Sequence, residues 1–470
     1  MFDFEPSGWF PLHGLLTSIG LLIYAVGSHT LHQRRHPSTA VAWVITILLL
    51  PEAGLPLYLM FSTRKLPKAQ NREPVQRVAV DESVAPRWVQ NLTATMGLAP
   101  AASYRDLRIH ADGAQAAAAL REVIDSARHR LDICTFILGH DRFGDELARR
   151  LGERAREGVA VRLLVDGVGA LMGGRSDFSG LEAQGVRVVR FVPPLRSPLK
   201  WPVRGRTNLR NHRKLVVADG VRLWCGGRNF ASEYFEGEAD GAPWDDLSFD
   251  LSGDVAAEAS AVFESDWRFA LTPSHAEMGL SIQRDWPAAA FAAPAAQILP
   301  SGPDYADDTV HMLLLTACFR ARTRILAVTP YLVPDESLLS SLTLAARRGV
   351  QVDILVPEHS NHRLADIARH RPMRELVRAG ARLWLAPGMI HAKAVVIDEH
   401  IALAGSVNLD SRSLFLNYEL MIAFYAAQDI GRFAAWIESR VARARRYDAR
   451  PPGLARSVGE GLVLWLAFQL

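Results

Sequence analysis

His391-Ala392-Lys393-Ala394-Val395-Val396-Ile397-Asp398, with Gly405, Ser406 and Asn408 beyond it, decides how this chain is read, because the chain contains the pattern twice. The earlier copy runs His212-Arg213-Lys214-Leu215-Val216-Val217-Ala218-Asp219 and continues to Gly226, Gly227 and Asn229. Every interval agrees, H-x-K-x4-D-x6-G-[GS]-x-N, and both copies place the apolar residues of a buried strand after the lysine. A spacing kept to the residue marks an internal duplication and predicts two similar halves.

Histidine and lysine at i and i+2 of a strand point to the same face, so each copy offers a titratable imidazole beside a fixed cation. Two copies brought together would surround one anionic group with two lysines and two imidazoles. That set suits a phosphodiester, which resists nucleophiles until its charge is neutralised and its leaving alkoxide is given a proton.

Both copies resemble the HKD motif of the phospholipase D superfamily. The surrounding text is similar to that of membrane-anchored bacterial cardiolipin synthases, through Pro330-Tyr331-Leu332-Val333-Pro334-Asp335-Glu336, Arg347-Arg348-Gly349-Val350 and Ser406 to Glu419 (SVNLDSRSLFLNYE). The resemblance implies an α/β fold of two phospholipase D-like α/β/α domains packed as a pseudo-dimer behind an N-terminal transmembrane helical hairpin. It implies phosphatidyl transfer between two phosphatidylglycerols, giving cardiolipin and glycerol through a phosphohistidine. The alternative is a membrane phospholipase D with water as acceptor, and phosphatidylethanolamine is an alternative donor.

In that scheme His212 is the nucleophile and His391 the acid and base, although the repeat leaves the reverse assignment open. Lys214, Lys393, Asn229 and Asn408 hold the phosphate oxygens. Glu419 and Asp246, at matching places after each motif, each orient the histidine of their own half. Asp219 and Asp398 complete the two catalytic motifs but read as residues that fix the loop after the strand. Ser406 supplies a hydroxyl where the first copy has Gly227. No metal and no cofactor is implied. The expected partners are phosphatidylglycerol, other phospholipids and the membrane, not nucleic acid, with self-association left open.

Composition fits this reading. At 470 residues, 49% of them hydrophobic, the chain can build two or more cores. A formal net charge of +3 is too small to indicate a nucleic-acid partner. Cys134, Cys225 and Cys318 lack metal or redox spacing, sit in apolar runs and read as buried thiols.

Residues 1–62 read as the hairpin: Ser7 to Gln33 holds no Asp, Glu, Lys or Arg, and a second apolar run covers Ser38 to Met60. Glu52 interrupts that run and should sit near an interface or against the first helix. The resemblance implies a multi-pass protein of the bacterial inner membrane; Arg64, Lys65, Lys68 and Arg72 outnumber Arg34 and Arg35, which leans its catalytic part towards the cytoplasm, while the first helix argues the other way. Residues 63–104 read as a linker, 105–275 and 290–450 as the two domains, and 451–470 as a membrane-proximal tail. Between Gly185 and His212 the first half carries an extra basic segment with Arg196, Lys200, Arg204, Arg206 and Arg210, readable as a solvated loop or a lip for anionic lipid. His110, His140, His311, His359, His362, His370 and His400 have no repeated partner and read as surface or capping residues.

Overall fold

The fold was established from a computed structural model that describes residues 9–30, 37–61, 81–192, 208–237, 241–271 and 294–466. The expectations for Arg34, Arg35, Arg64, Lys65, Lys68 and Arg72, for Arg196, Lys200, Arg204 and Arg206, and for the last four residues fall outside these.

The chain opens with three helices packed on one another, α1 (Trp9–Thr30), α2 (Pro37–Leu49) and α3 (Pro51–Phe61). Among the described residues no helix is long and apolar enough to cross a membrane, and they do not show the expected multi-pass hairpin. The second apolar run is two helices because Pro51 has no N–H to give and disfavours helical geometry in Leu50 before it. Glu52 lies against the first helix, 2.9 Å from His13 Nδ1, one of the two placements expected for it.

Helix α4 (Arg87–Thr95) and strands β1 (Ala102–Ser103) and β2 (Arg105–Ile109) follow. The first half is then α5 (Gly113–Ser126), β3 (Arg130–Thr135), α6 (Arg142–Arg156), β4 (Ala160–Asp166), α7 (Gly167–Met172), α8 (Ser179–Glu182), β5 (Arg187–Phe191), β6 (Leu215–Ala218), β7 (Arg222–Gly226), β8 (Ser248–Ser252) and α9 (Asp254–Leu271). The second repeats it: β9 (Ala295–Ser301), α10 (Thr309–Arg320), β10 (Arg324–Val328), β11 (Leu332–Val333), α11 (Glu336–Arg347), β12 (Gln351–Pro357), α12 (Arg363–Ala368), α13 (His370–Arg378) and β13 (Arg382–Ala386). It closes with β14 (Ala394–Ile397), β15 (Ile401–Gly405), β16 (Leu409–Asp410), α14 (Ser411–Phe415), β17 (Glu419–Phe424), α15 (Ala427–Val441), β18 (Arg445–Arg446) and α16 (Leu454–Leu466).

The sheets are built alike. The first has the order β2-β8-β7-β6-β3-β4-β5 and the second β1-β9-β17-β15-β14-β10-β12-β13-β18. In each, a parallel trio, β3-β4-β5 or β10-β12-β13, joins an antiparallel set that begins with the motif strand β6 or β14. One buried core takes residues from both sheets and from α9 and α15, including Leu215, Val217, Phe249 and Phe263 with Ala394, Val396, Ile422 and Phe433. Each half has a second core on its outer side. The shared core holds the halves together, and the three cysteines are buried free thiols.

Of the expected 63–104 linker, the described residues 81–104 pack on the second half. Val89, Met96 and Leu98 are buried in the outer core of the second half, and β1 pairs antiparallel with β9. Apolar residues at these positions make this stretch part of the second half's packing before the first half begins. At the other end, α16 packs against α12 and α13, and Arg374 and Glu460 form a buried ion pair.

Candidate active site

Strand β6 runs antiparallel to β3 with Leu215 opposite Cys134, so Lys214 and His212 stand where β3 and β4 end. Ala394 opposite Val328 puts Lys393 and His391 at the same end of the second sheet. Backbone contacts join the two ends. His212 N–H donates to Tyr418 O at 2.8 Å, and Tyr418 N–H to Arg210 O at 2.8 Å. His391 N–H donates to Asp245 O at 2.7 Å, and Asp245 N–H to Met389 O at 2.9 Å. The segment leading into each histidine is thus stitched to the segment leading into the other half's acid.

The consequence is a crossed pairing. His212 Nδ1 lies 3.0 Å from Glu419 Oε1, and His391 Nδ1 lies 2.7 Å from Asp246 Oδ2. This overturns the expectation that each acid orients the histidine of its own half. The reason is local: Asp246 and Glu419 each directly follow a residue, Asp245 or Tyr418, that is bridged to the other half, which directs both acids across the interface.

Lys214 and Lys393 are buried beside the imidazoles. Lys214 Nζ donates to His212 O at 2.7 Å, and Lys393 Nζ is 2.7 Å from His391 Nδ1 and 2.9 Å from its Nε2. Burial pushes Lys214 down to about 7 and Lys393 down to about 8, against the pull of Glu419 and Asp246. Burial, then Lys393, pushes His391 down to about 3. Burial also lowers His212, with Glu419 opposing it. Burial acts to raise Glu419 and Asp246, but His212 and Lys214 on one, and Lys393 and His391 on the other, keep both below the usual carboxylate range. The free site therefore holds neutral imidazoles and two lysines with weakened affinity for their protons, an arrangement that an added anion would stabilise.

Asn229 Nδ2 donates to Tyr234 Oη at 2.8 Å, and Asn408 Nδ2 to Ser413 Oγ at 3.2 Å, while both Oδ1 atoms are buried with no hydrogen-bond partner among the described residues. A half-turn of either carboxamide would let the hydroxyl donate to Oδ1 and present the NH2 group instead, the orientation a phosphate oxygen would select. Tyr234 and Ser413 stand at equal offsets from the two asparagines. Sequence reasoning missed them, although the repeated offset of a hydroxyl was a usable signal.

The remaining expected residues divide. Asp219 accepts from the amides of Arg128, His129 and Arg130 at 2.7 to 2.8 Å, and Asp398 from those of Arg322, Thr323 and Arg324 at 2.9 Å. Both lie beyond the far end of the motif strand, with φ near +52° and +51°. They are corrected from the catalytic set to loop-fixing residues, the role their position after the strand had suggested. Ser406 Oγ donates to Glu419 Oε2 at 2.5 Å and accepts from Leu420 N–H at 2.9 Å, so its hydroxyl holds the acid rather than facing a substrate.

Arg213, between the first histidine and lysine, was not singled out. It is buried, pairs with Asp266, and donates to Glu419 O at 2.9 Å and Ser301 O at 3.1 Å, tying the first motif to the second half. Aromatic rings wall the imidazoles: Phe136 lies 5.3 Å from His212, and Tyr234 and Trp244 lie 5.1 and 5.6 Å from His391. Among the other histidines, His362 caps α12 as expected for such a residue, whereas His110 and His311 are buried against Asp250 and Asp335. Among the described residues no group of three or more His, Cys, Asp and Glu side chains is placed to hold a metal ion.

A family profile described as "Cardiolipin synthase, PLD-like domain" matches residues 120–267 and 314–441. The chain is 31% identical over 440 residues to cardiolipin synthase A of Pseudomonas entomophila (strain L48), covering 87% of each protein. It is 32% identical over 434 residues to cardiolipin synthase A of Pseudomonas syringae pv. syringae (strain B728a), again covering 87% of each. Among solved structures, the phosphatidylserine synthase of Haemophilus influenzae Rd KW20 superposes with a TM-score of 0.61 at 14% identity, over 81% of this chain and 98% of that one. That last likeness is one of fold.

Proposed function

The chain belongs to the cardiolipin synthase family with PLD-like domains, and from that premise we propose that it joins two phosphatidylglycerols into cardiolipin and glycerol by phosphatidyl transfer. The observation that carries this reading is the crossed pairing of His212 with Glu419 and His391 with Asp246, which gathers two imidazoles and two lysines at one place.

The residues divide the work as follows. Lys214 and Lys393, with the carboxamides of Asn229 and Asn408, neutralise and hydrogen-bond the non-bridging oxygens. Glu419 holds His212 Nδ1, which directs Nε2 at phosphorus. The N–P bond forms, the P–O bond to glycerol breaks, and His391 gives its proton to the departing oxygen. His391 then takes the proton of the acceptor's hydroxyl, whose oxygen displaces His212. His212 is favoured as nucleophile because its side chain is the more accessible, 15% against 5%, and Lys393 crowds the ring nitrogens of His391. A phosphate anion drawn against Lys393 offsets the repulsion on His391 and favours the protonated form that the first step requires.

Attachment to the lipid that carries the substrate is assigned to α1–α3, whose surface exposes Leu12, Leu15, Leu22, Val41, Leu49 and Leu57. This reading has the chain at the bacterial inner membrane with the catalytic halves on the cytoplasmic side. Thin-layer analysis of products from phosphatidylglycerol labelled in its phosphate tests the activity. Cardiolipin is expected, whereas phosphatidate in its place would make water the acceptor. Phosphatidylethanolamine offered together with unlabelled phosphatidylglycerol tests the donor.

A further inference from the structure

The end of the molecule that holds the site also carries apolar side chains that the chemistry does not use. In the first half they are on α7, which follows β4 directly and exposes Leu171 at 55% and Met172 at 68%. This helix is fixed close to the site: a Cβ on Gly169 would lie 1.8 Å from Phe136 O, and the Phe136 ring touches His212. In the second half they are on α12, which follows β12 and exposes Leu364 at 43% and Ile367 at 40%. Helix α12 packs through Ala365 and Ala368 on Tyr331.

The two places correspond. Thr135 Oγ donates to Ile137 O at 2.8 Å and Thr329 Oγ to Tyr331 O at 2.9 Å, so Tyr331 stands where Ile137 stands, and each residue underlies its half's helix. Helix α16, in contact with α12, extends the second patch with Leu454 and Val458, exposed at 85% and 56%. Exposed Arg363 and Arg371 flank it.

We propose that the α7 tip and the α12–α16 face form a rim that dips into an anionic phospholipid bilayer and seats the site's mouth on it. The proposal rests on the lipid-substrate reading above. A phosphodiester in a bilayer lies at the headgroup level, so a site that reaches it without extracting the lipid needs apolar contacts on both sides of its opening. Leucine, isoleucine and methionine fit the acyl boundary, and arginines beside them fit the anionic headgroups. The duplication supplies one such contact from each half.

The test uses the full chain reconstituted in vesicles of phosphatidylglycerol and phosphatidylcholine. Single cysteines at Leu171→Cys, Ile367→Cys and, as a control, Val221→Cys can be labelled selectively, because the three native cysteines are buried. Val221 is 54% exposed in the turn between β6 and β7, at the opposite end of the strands. Brominated acyl chains should quench dyes at 171 and 367 and leave the dye at 221 bright. Equal emission at all three positions would overturn the proposal whatever the enzyme's activity. In a second arm, Leu171→Asp/Met172→Asp and Leu364→Asp/Ile367→Asp should each slow the reaction of vesicle phosphatidylglycerol about tenfold. Both should react at the wild-type rate with dissolved dihexanoyl phosphatidylglycerol. An equal fall on both substrates would also overturn the rim. Wild type making no cardiolipin from either substrate would instead refute the proposed activity, and the dye arm would still judge the rim.

Discussion

The two halves solve the same problem, holding an acid against the other half's imidazole, with different side chains. In the second half the acid is Glu419, braced by Ser406 Oγ, which also takes up the Leu420 amide. In the first half the acid is the shorter Asp246, which takes up the Leu247 amide itself at 2.7 Å, and the residue matching Ser406 is Gly227. A Cβ on Gly227 would lie 2.3 Å from Asp246 Oδ1. One half uses a long acid and a hydroxyl relay; the other uses a short acid and an absent side chain. Duplicated sites can therefore drift in residue identity as long as acid length and neighbouring volume drift together.

The most severe way to break the comparison is to remove either imidazole. His212→Ala and His391→Ala should each lower cardiolipin formation by about a thousandfold or more, measured on labelled phosphatidylglycerol. Removing the charge of the acids comes next, and it separates the halves. Glu419→Gln should slow the appearance of phosphoenzyme about a hundredfold, because it disturbs His212. Asp246→Asn should slow turnover by a similar factor through His391, and rapid-quench kinetics on both variants checks the crossing. If Glu419→Gln disturbed only the proton-transfer step, the crossed assignment would be wrong.

A gentler change sharpens the comparison. Gly227→Ser alone should cost about tenfold in turnover by crowding Asp246. Pairing it with Asp246→Glu rebuilds the arrangement of the second half and should recover most of that loss.

The lysines predict a pH effect of known sign. Each is a base whose folded pKa, about 7 for Lys214 and about 8 for Lys393, lies below its unfolded value of about 10.4. Between those limits the unfolded chain binds more protons, so this contribution to stability rises with pH from about 7 to about 10. The charged lysines needed to bind phosphate are lost over the lower part of the same range. kcat/KM should therefore fall above pH 7 to 8 while Tm, after other groups are accounted for by Lys214→Met and Lys393→Met, rises. The smallest effect on chemistry belongs to Asp219→Asn, which should lower unfolding free energy by about 1 to 3 kcal/mol in denaturant titrations and leave turnover per folded enzyme within about twofold.

Much of this was readable beforehand, for reasons that particular residues make plain. The motif spacing is local, so both histidines, both lysines and the existence of two α/β halves were legible. Asp246 and Glu419, each downstream of its own motif, were also legible as acids of the site. Their crossing was not legible, because it depends on Asn211 meeting Tyr418 and Asp245 meeting Ile390, contacts between residues far apart in the chain. The same distance hid the pairing of Ala102 with Ala296, which makes an apparent linker part of the second sheet. At the N-terminus hydropathy gave the apolar runs correctly, but Pro51 governs where the second one breaks. Tyr234 and Ser413 were legible in principle; only the repeated offset of a hydroxyl, not of one residue type, reveals them.

The central claim is that both halves serve one phosphate, with His212 bonding to phosphorus while His391 moves the proton. The direct measurement is to quench the enzyme in base during turnover of phosphate-labelled phosphatidylglycerol and map the labelled peptide by mass spectrometry. The account predicts a single phosphatidyl adduct, on His212, that vanishes in His212→Ala. Label on His391, or on both histidines in separate molecules, would contradict it.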